Sequence, residues 1–167
     1  RERLDDNHPW LTGWIRHQRR DGFWKHASLC ERTDKVTAAV FAVGGWADYI
    51  SRAVPRMMAN LKGPRFALLG PWGHHYPHDG VPGPEVSFLQ DCVRFFDRYV
   101  KDIDNGWDRE PSYRAYIQSY EKPSATYGAK PGRWVAIDGW PSDKVQPETF
   151  RLSPGRLDKR QRSEKAL

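Results

Sequence analysis

The feature that most constrains this fold is an alternation of short apolar runs and helical patterns between residues 35 and 104. Residues 35–45 (KVTAAVFAVGG) are mostly apolar, partly β-branched and closed by two glycines, which is typical of a strand buried on both faces. RFALLG (65–70) has the same character. Helical spacing of apolar residues fills 50–61 and returns over 85–101. This strand–helix–strand–helix order predicts an α/β fold with a parallel sheet and right-handed crossovers.

The second predicted helix carries an apolar stripe, which we expect to pack in the core. The stripe comprises Phe88, Leu89, Cys92, Val93, Phe96 and Val100.

The segments before and after this alternation have different sequence patterns. Residues 7–20 place Trp10, Leu11, Trp14 and Ile15 on one side of a short amphipathic helix. Beyond residue 107 the chain changes to short alternating runs, SYRAYIQ, RWVAI and ETFRL, separated by segments containing Pro and Gly. That pattern is typical of antiparallel β structure and predicts a domain boundary within residues 105–111.

Charge and cysteine content narrow the functional classes. The net charge is +6, and much of the excess Lys and Arg lies in RHQRR (16–20) and the basic tail (156–167). Without a nucleic-acid motif, two separated basic patches do not favour nucleic-acid binding. Cys30 and Cys92 have no CxxC spacing, which favours a reduced, cytoplasmic setting. No run approaches the roughly 18 apolar residues of a membrane span, so no membrane partner is expected. The start at Arg1 leads us to expect part of a longer polypeptide.

An acid and an imidazole follow the two predicted strands. Asp48 comes just after VFAVGGW and His74 just after FALLGPWG. Functional side chains of parallel α/β sheets collect at the carboxyl ends of the strands, so we expect these two to meet. A carboxylate that hydrogen-bonds an imidazole fixes its tautomer and stabilises the imidazolium, which predicts a catalytic acid–base pair.

Simpler interpretations exist for the same residues. Asp48 is also a suitable helix N-cap, and His74 could be an ordinary loop histidine. His74, His75, His78 and Asp79 could form a zinc cluster. Adjacent histidines point apart, however, and no His pair at i and i+4 lies on a predicted helix, so we expect no metal.

A nucleophile is missing from this pattern. Alpha/beta-hydrolases order their triad as nucleophile, acid, histidine, and here the acid precedes the histidine. The sequence contains no GxSxG, and none of its serines lies at a predicted strand–turn–helix elbow.

Three motifs, VFAVGGWADYI, ALLGPWGHHYPH and RWVAIDGWPS, appear in an order that resembles the X-prolyl dipeptidyl-peptidase and cocaine esterase family. That family also includes α-amino-acid ester hydrolases and glutaryl acylases. The resemblance implies a partial α/β-hydrolase: residues 1–34 as the end of the helical cap and its return to the core, 35–107 as the carboxy-terminal part of the core, and 108–167 as the start of a β jelly-roll domain with the basic tail.

The resemblance also implies roles for individual residues. The family's acid falls on Asp48 and its histidine on His74, with His75 as the alternative histidine. Trp46 and Trp72 would line or brace the two loops. The serine and the oxyanion-hole donors belong to an amino-terminal half of the hydrolase, which would be a partner of this chain.

The sequence therefore predicts the carboxy-terminal fragment of a serine hydrolase that cleaves small esters or X-prolyl peptide and amide bonds through an acyl-enzyme. Such a fragment would be inactive alone, and it needs no cofactor because triad chemistry uses none. The alternative is a non-catalytic remnant or partner-binding fragment, and a homo-oligomer is compatible with either.

Overall fold

A computed structural model of the 167-residue chain describes residues 5, 7 and 9–159, so part of the predicted basic tail lies outside the described residues. The helices are α1 (Trp10–Arg16), α2 (Gly22–Lys25), α3 (Ala53–Asn60) and α4 (Phe88–Lys101). Three 3-10 turns span Leu29–Glu31, Thr33–Lys35 and Trp107–Arg109. The strands are β1 (Val40–Gly45), β2 (Arg65–Gly70), β3 (Tyr113–Gln118), β4 (Gly132–Ile137), β5 (Arg151–Ser153) and β6 (Arg156–Asp158).

The main sheet has the strand order β1-β2-β3-β4. Strands β1 and β2 pair in parallel from Val40 opposite Arg65 to Gly45 opposite Gly70, with α3 as the crossover. This confirms the predicted α/β class with a mostly parallel sheet. Strand β3 is also parallel to β2, whereas β4 is antiparallel to β3.

The sheet continues past the predicted boundary at residues 105–111. The alternating run SYRAYIQ forms β3, which joins the parallel strands, while β5 and β6 form a separate hairpin. The division of the chain into domains and the jelly-roll assignment stay predictions.

Helix α3 covers one face of the sheet. Its Val54 and Met58 pack with Ala67 and Leu69 of β2, and all four side chains are buried. Gly44 permits this approach, because a Cβ there would lie 2.9 Å from Cγ2 of Val54. The close packing brings the loop that precedes α3 to the carboxyl end of β1.

Helix α4 covers the other face through a different stripe from the one predicted. Its Phe88, Phe95 and Tyr99 contact Phe41 and Phe66 of the sheet. The prediction was wrong for most of its stripe, whose exposed members are Leu89 (52%), Val93 (59%), Phe96 (55%) and Val100 (74%). The helix is apolar on two sides, and the aromatic rings of the sheet select the side that carries Phe95 and Tyr99.

The helix predicted within residues 7–20 is shorter than expected. It starts at Trp10, and its residues Trp10, Leu11, Trp14 and Ile15 are all more than half exposed. No helix in the described ranges has the length and apolar character needed to cross a membrane. The cytoplasmic setting stays a prediction.

Candidate active site

The loops that follow β1 and β2 are joined by backbone hydrogen bonds. The N–H of Trp46 donates to the carbonyl of Gly70 over 2.9 Å, and the N–H of Ala47 donates to that of Trp72 over 3.0 Å. Gly45 allows this contact, because a Cβ at that position would overlap the carbonyl oxygen of Trp72. We call residues 46–52 the acid loop and residues 71–84 the histidine loop.

These loops bring together the two residues on which the sequence analysis depends. Nδ1 of His74 lies 2.9 Å from Oδ2 of Asp48. The side chain of Asp48 is only 7% exposed, whereas that of His74 is 71% exposed. The carboxylate is thus shielded while the imidazole remains accessible, which suits a base that must meet a substrate or a nucleophile.

The electrostatics of Asp48 favour its ionised form. The hydrogen bond with His74 is the main cause of a lowered pKa, opposed by burial and assisted by the backbone N–H of Ile50, which donates to Oδ1 over 3.1 Å. Asp48 therefore serves as an acceptor on both carboxylate oxygens.

The capping interpretation of Asp48 does not hold for α3. That helix begins at Ala53, its N-cap residue is Arg52, and no side chain caps it. Asp48 instead caps only the tight turn to Ile50, which leaves Oδ2 for His74.

Tyr49 is a residue at this site that sequence analysis missed. Its ring lies 5.6 Å from the His74 ring, centroid to centroid, at an interplanar angle of 31°. Tyr49 is 86% exposed, so the contact is made at the surface of the site. The sequence signal that could have identified Tyr49 is its position directly after Asp48.

The two tryptophans hold the loops by different contacts. Trp72 is 1% exposed and donates from Nε1 to the carbonyl of Pro84 over 2.8 Å. Gly70 and Gly80 make room for its indole, because a Cβ at either would collide with the ring. Trp46 is 41% exposed and donates from Nε1 to the carbonyl of Tyr116 over 2.6 Å.

A cavity of about 450 Å³ opens beside the acid–imidazole pair. His75 lines it without taking the place of His74 against Asp48. No lysine or arginine is among its described lining residues, which favours an uncharged or cationic group there. The lining residues are Val43, Gly44, Gly45, Asp48, Ile50, Gly73, His74, His75, Tyr76, Pro77, Asp79 and Phe88.

The histidines that the structure describes do not assemble a metal site. Within residues 5, 7 and 9–159, no group of three or more His, Cys, Asp or Glu side chains is placed to hold a metal ion. The ring of His78 instead stacks on Phe88 at 6.2 Å with an interplanar angle of 8°.

Comparison with known proteins places both residues of the pair in a matched region. Residues 1–76 match the X-Pro dipeptidyl-peptidase (S15) family. Two proteins named as candidate serine esterases, from Mycobacterium bovis and Mycobacterium tuberculosis, are each 28% identical over 126 residues. That alignment covers 71% of this chain but only 18% of each relative.

Solved structures show the same fold. A CocE/NonD family hydrolase from Staphylococcus aureus superimposes with a TM-score of 0.67 at 14% identity, over 95% of this chain and 28% of that one. A second structure of that hydrolase gives a TM-score of 0.64 at 13% identity, over 92% and 26%.

Proposed function

We propose that this chain, whose residues 1–76 match the X-Pro dipeptidyl-peptidase (S15) family, is the carboxy-terminal part of a serine hydrolase. The proposed reaction is cleavage of ester or X-prolyl peptide and amide bonds through an acyl-enzyme. The hydrogen bond between Asp48 and His74 carries the proposal, because it joins an ionised acid to an accessible imidazole at the carboxyl ends of neighbouring strands.

The roles of the pair follow from the geometry. With the proton on Nδ1 shared with Asp48, Nε2 of His74 is the nitrogen that accepts a proton. Nε2 takes the proton of a serine hydroxyl as its oxygen attacks the substrate carbonyl. The imidazolium, stabilised by Asp48, then protonates the leaving alcohol or amine as the tetrahedral intermediate collapses. A water activated by His74 hydrolyses the acyl-enzyme and frees the serine.

The serine in this proposal comes from outside these 167 residues. None of the described side chains that line the cavity is a serine. Strand β1 pairs on one side only, with β2, so the described sheet has an edge at which a further parallel strand can add. The chain spans only 18% of the length of its curated relatives, so most of such a protein lies outside the matched region.

The test uses the full-length hydrolase polypeptide that contains this chain, assayed with a chromogenic ester and an X-prolyl anilide. We expect His74→Ala to lower kcat by about 10⁴-fold or more while KM changes little. His75→Ala is the matched control, since His75 lines the same cavity without contacting Asp48, and it should keep most of the activity. Unchanged turnover in His74→Ala would overturn the assignment.

A second candidate function is that of a non-catalytic, partner-binding fragment. The observation that favours it is the exposed face of α4, formed by Leu89, Val93, Phe96 and Val100. Contiguous apolar surface of this kind marks interaction sites on soluble proteins.

This second candidate predicts that the 167-residue chain binds a dye sensitive to apolar surface, and that Val93→Lys with Phe96→Lys reduces the signal. Tyr120→Lys, at a side chain 90% exposed elsewhere, is the control. A monomer in sedimentation that binds little dye would remove this candidate, whereas a two-fold assembly lost in the double variant would identify a homo-oligomer.

A further inference from the structure

The strands β3 and β4 contact both loops of the candidate active site. The first connection is the hydrogen bond from Nε1 of Trp46 to the carbonyl of Tyr116, between residues 70 positions apart. Trp46 lies two residues before Asp48, and its own N–H is bonded to Gly70. Strand β3 therefore contacts the start of the acid loop directly.

The second connection is aromatic and reaches the histidine loop. The ring of Trp134 lies 6.0 Å from that of Trp72, centroid to centroid. Trp134 is the cross-strand partner of Tyr116 and meets its ring edge-on at 5.3 Å. Trp72 precedes His74 by two residues and accepts the hydrogen bond of Ala47. One cross-strand pair thus contacts the loops of both the acid and the base.

The third connection runs through the backbone. Gly83, at the end of the histidine loop, donates to the carbonyl of Gly128 over 2.8 Å and accepts from the N–H of Lys130 over 2.9 Å. Tyr116 reaches the same segment, since its hydroxyl donates to the carbonyl of Lys130 over 2.9 Å. Gly132 gives this side chain its space, because a Cβ there would collide with the strand and crowd the Tyr116 ring.

From these contacts we infer that the β3–β4 pair is a positioning element for the acid and histidine loops, with Tyr116 and Trp134 as its positioning residues. The inference rests on the proposed function, which gives Asp48 and His74 their catalytic roles. Strands β3 (113–118) and β4 (132–137) hold Asp48 and His74 at hydrogen-bonding distance from each other. Hydrolysis is sensitive to such placement, since a displacement of about 1 Å can lower the rate by about 100-fold.

The first test is made by NMR on the 167-residue chain. The Nδ1 proton of His74, hydrogen-bonded to Asp48, should give a downfield resonance. Trp46→Phe keeps a ring but removes the N–H that bonds to Tyr116, and Trp134→Leu removes the ring beside Trp72. Each should shift that resonance upfield or broaden it beyond detection.

The control is Trp140→Phe, at a tryptophan that stacks on Tyr113 at 5.4 Å and packs against the core, with no hydrogen bond or ring contact to either loop among the described residues. It should lower the melting temperature yet leave the resonance in place. If the resonance is intact in both Trp46→Phe and Trp134→Leu, these contacts contribute only to overall stability and the inference is overturned. Absence of the resonance from the unmodified chain would also overturn it.

A second readout separates this inference from the proposed function. In the full-length polypeptide, Trp46→Phe should lower kcat by about 10- to 100-fold with KM little changed, and Trp140→Phe should not. If the unmodified polypeptide hydrolyses nothing while the resonance still responds to Trp46→Phe, the proposed function fails and the positioning role stands. If the polypeptide is active and neither kcat nor the resonance responds, the positioning role alone fails.

Discussion

Gly45 lies against the carbonyl oxygen of Trp72 so closely that no side chain fits between the end of β1 and the histidine loop. The contact lets the two loops share backbone hydrogen bonds. The position of Asp48 relative to His74 therefore depends on a residue that belongs to neither loop.

The first prediction concerns this glycine. Gly45→Ala should destabilise the chain by about 1–3 kcal/mol, because the backbone of Trp72 must move to admit a methyl group. The midpoint of denaturant unfolding measures the effect. Gly139→Ala is the control, since nothing lies within 4 Å of a Cβ there, and equal midpoints for the two variants would contradict the packing argument.

The second prediction concerns the acid. In the proposed full-length hydrolase, Asp48→Asn should lower kcat by about 10³- to 10⁴-fold with KM little changed, since an amide cannot stabilise the imidazolium. The amide oxygen can still accept from Ile50, so the turn should survive. Asp79→Asn changes the other carboxylate of the cavity, and a loss as large in that variant would argue against a specific role for Asp48.

The third prediction concerns pH. The hydrogen bond with His74 lowers the pKa of Asp48 below its ordinary value of 3.8. A group whose pKa is lowered by folding adds stability above its unfolded pKa and loses it as the pH falls through the folded value. The unfolding free energy of the unmodified chain should thus exceed that of His74→Ala most at pH values above 3.8, with the difference shrinking in stronger acid.

Carboxyl chemical shifts provide the direct measurement. The titration midpoint of Asp48 should lie below 3.8 in the unmodified chain and rise in His74→Ala, which removes the principal cause of the shift. A midpoint that does not move between the two proteins would show that His74 is not that cause.

The fourth prediction compares two buried tryptophans. Trp72 and Trp107 are 1% and 0% exposed, but only Trp72 has a hydrogen-bond partner for its indole N–H within the described structure. Trp72→Phe should therefore be more destabilising than Trp107→Phe by about 1 kcal/mol, because it leaves the Pro84 carbonyl without its donor. Chemical denaturation of both variants tests this, and a larger loss in Trp107→Phe would reverse the expected order.

Local patterns predict one part of this molecule well. The run RFALLG matches the bounds of β2, and placing Asp48 and His74 after neighbouring strands anticipates their hydrogen bond. Both results follow from properties encoded within a few residues, namely strand composition and the meeting of parallel strands at their carboxyl ends.

The sequence predicts less well which of several possible tertiary partners a side chain or strand contacts. Helix α4 has apolar residues on two sides. The aromatic rings of Phe41, Phe66 and Trp107 pack against Phe95, which is buried, while Phe96 is exposed. The bond between Trp46 and Tyr116 joins residues 70 positions apart, and no spacing rule links them. The parallel pairing of β3 with β2 likewise depends on tertiary context rather than on the alternating pattern of β3 itself.

The bonds between the acid loop and the histidine loop use backbone N–H and carbonyl groups at Trp46, Gly70, Ala47 and Trp72. Such bonds do not depend on the side chains that face the cavity, among them Ile50 and Tyr76. Substitutions at those lining positions can therefore reshape the cavity without rebuilding the acid–base pair. If the proposed function holds, this arrangement gives a lineage a way to diversify substrate preference while its chemistry is inherited unchanged.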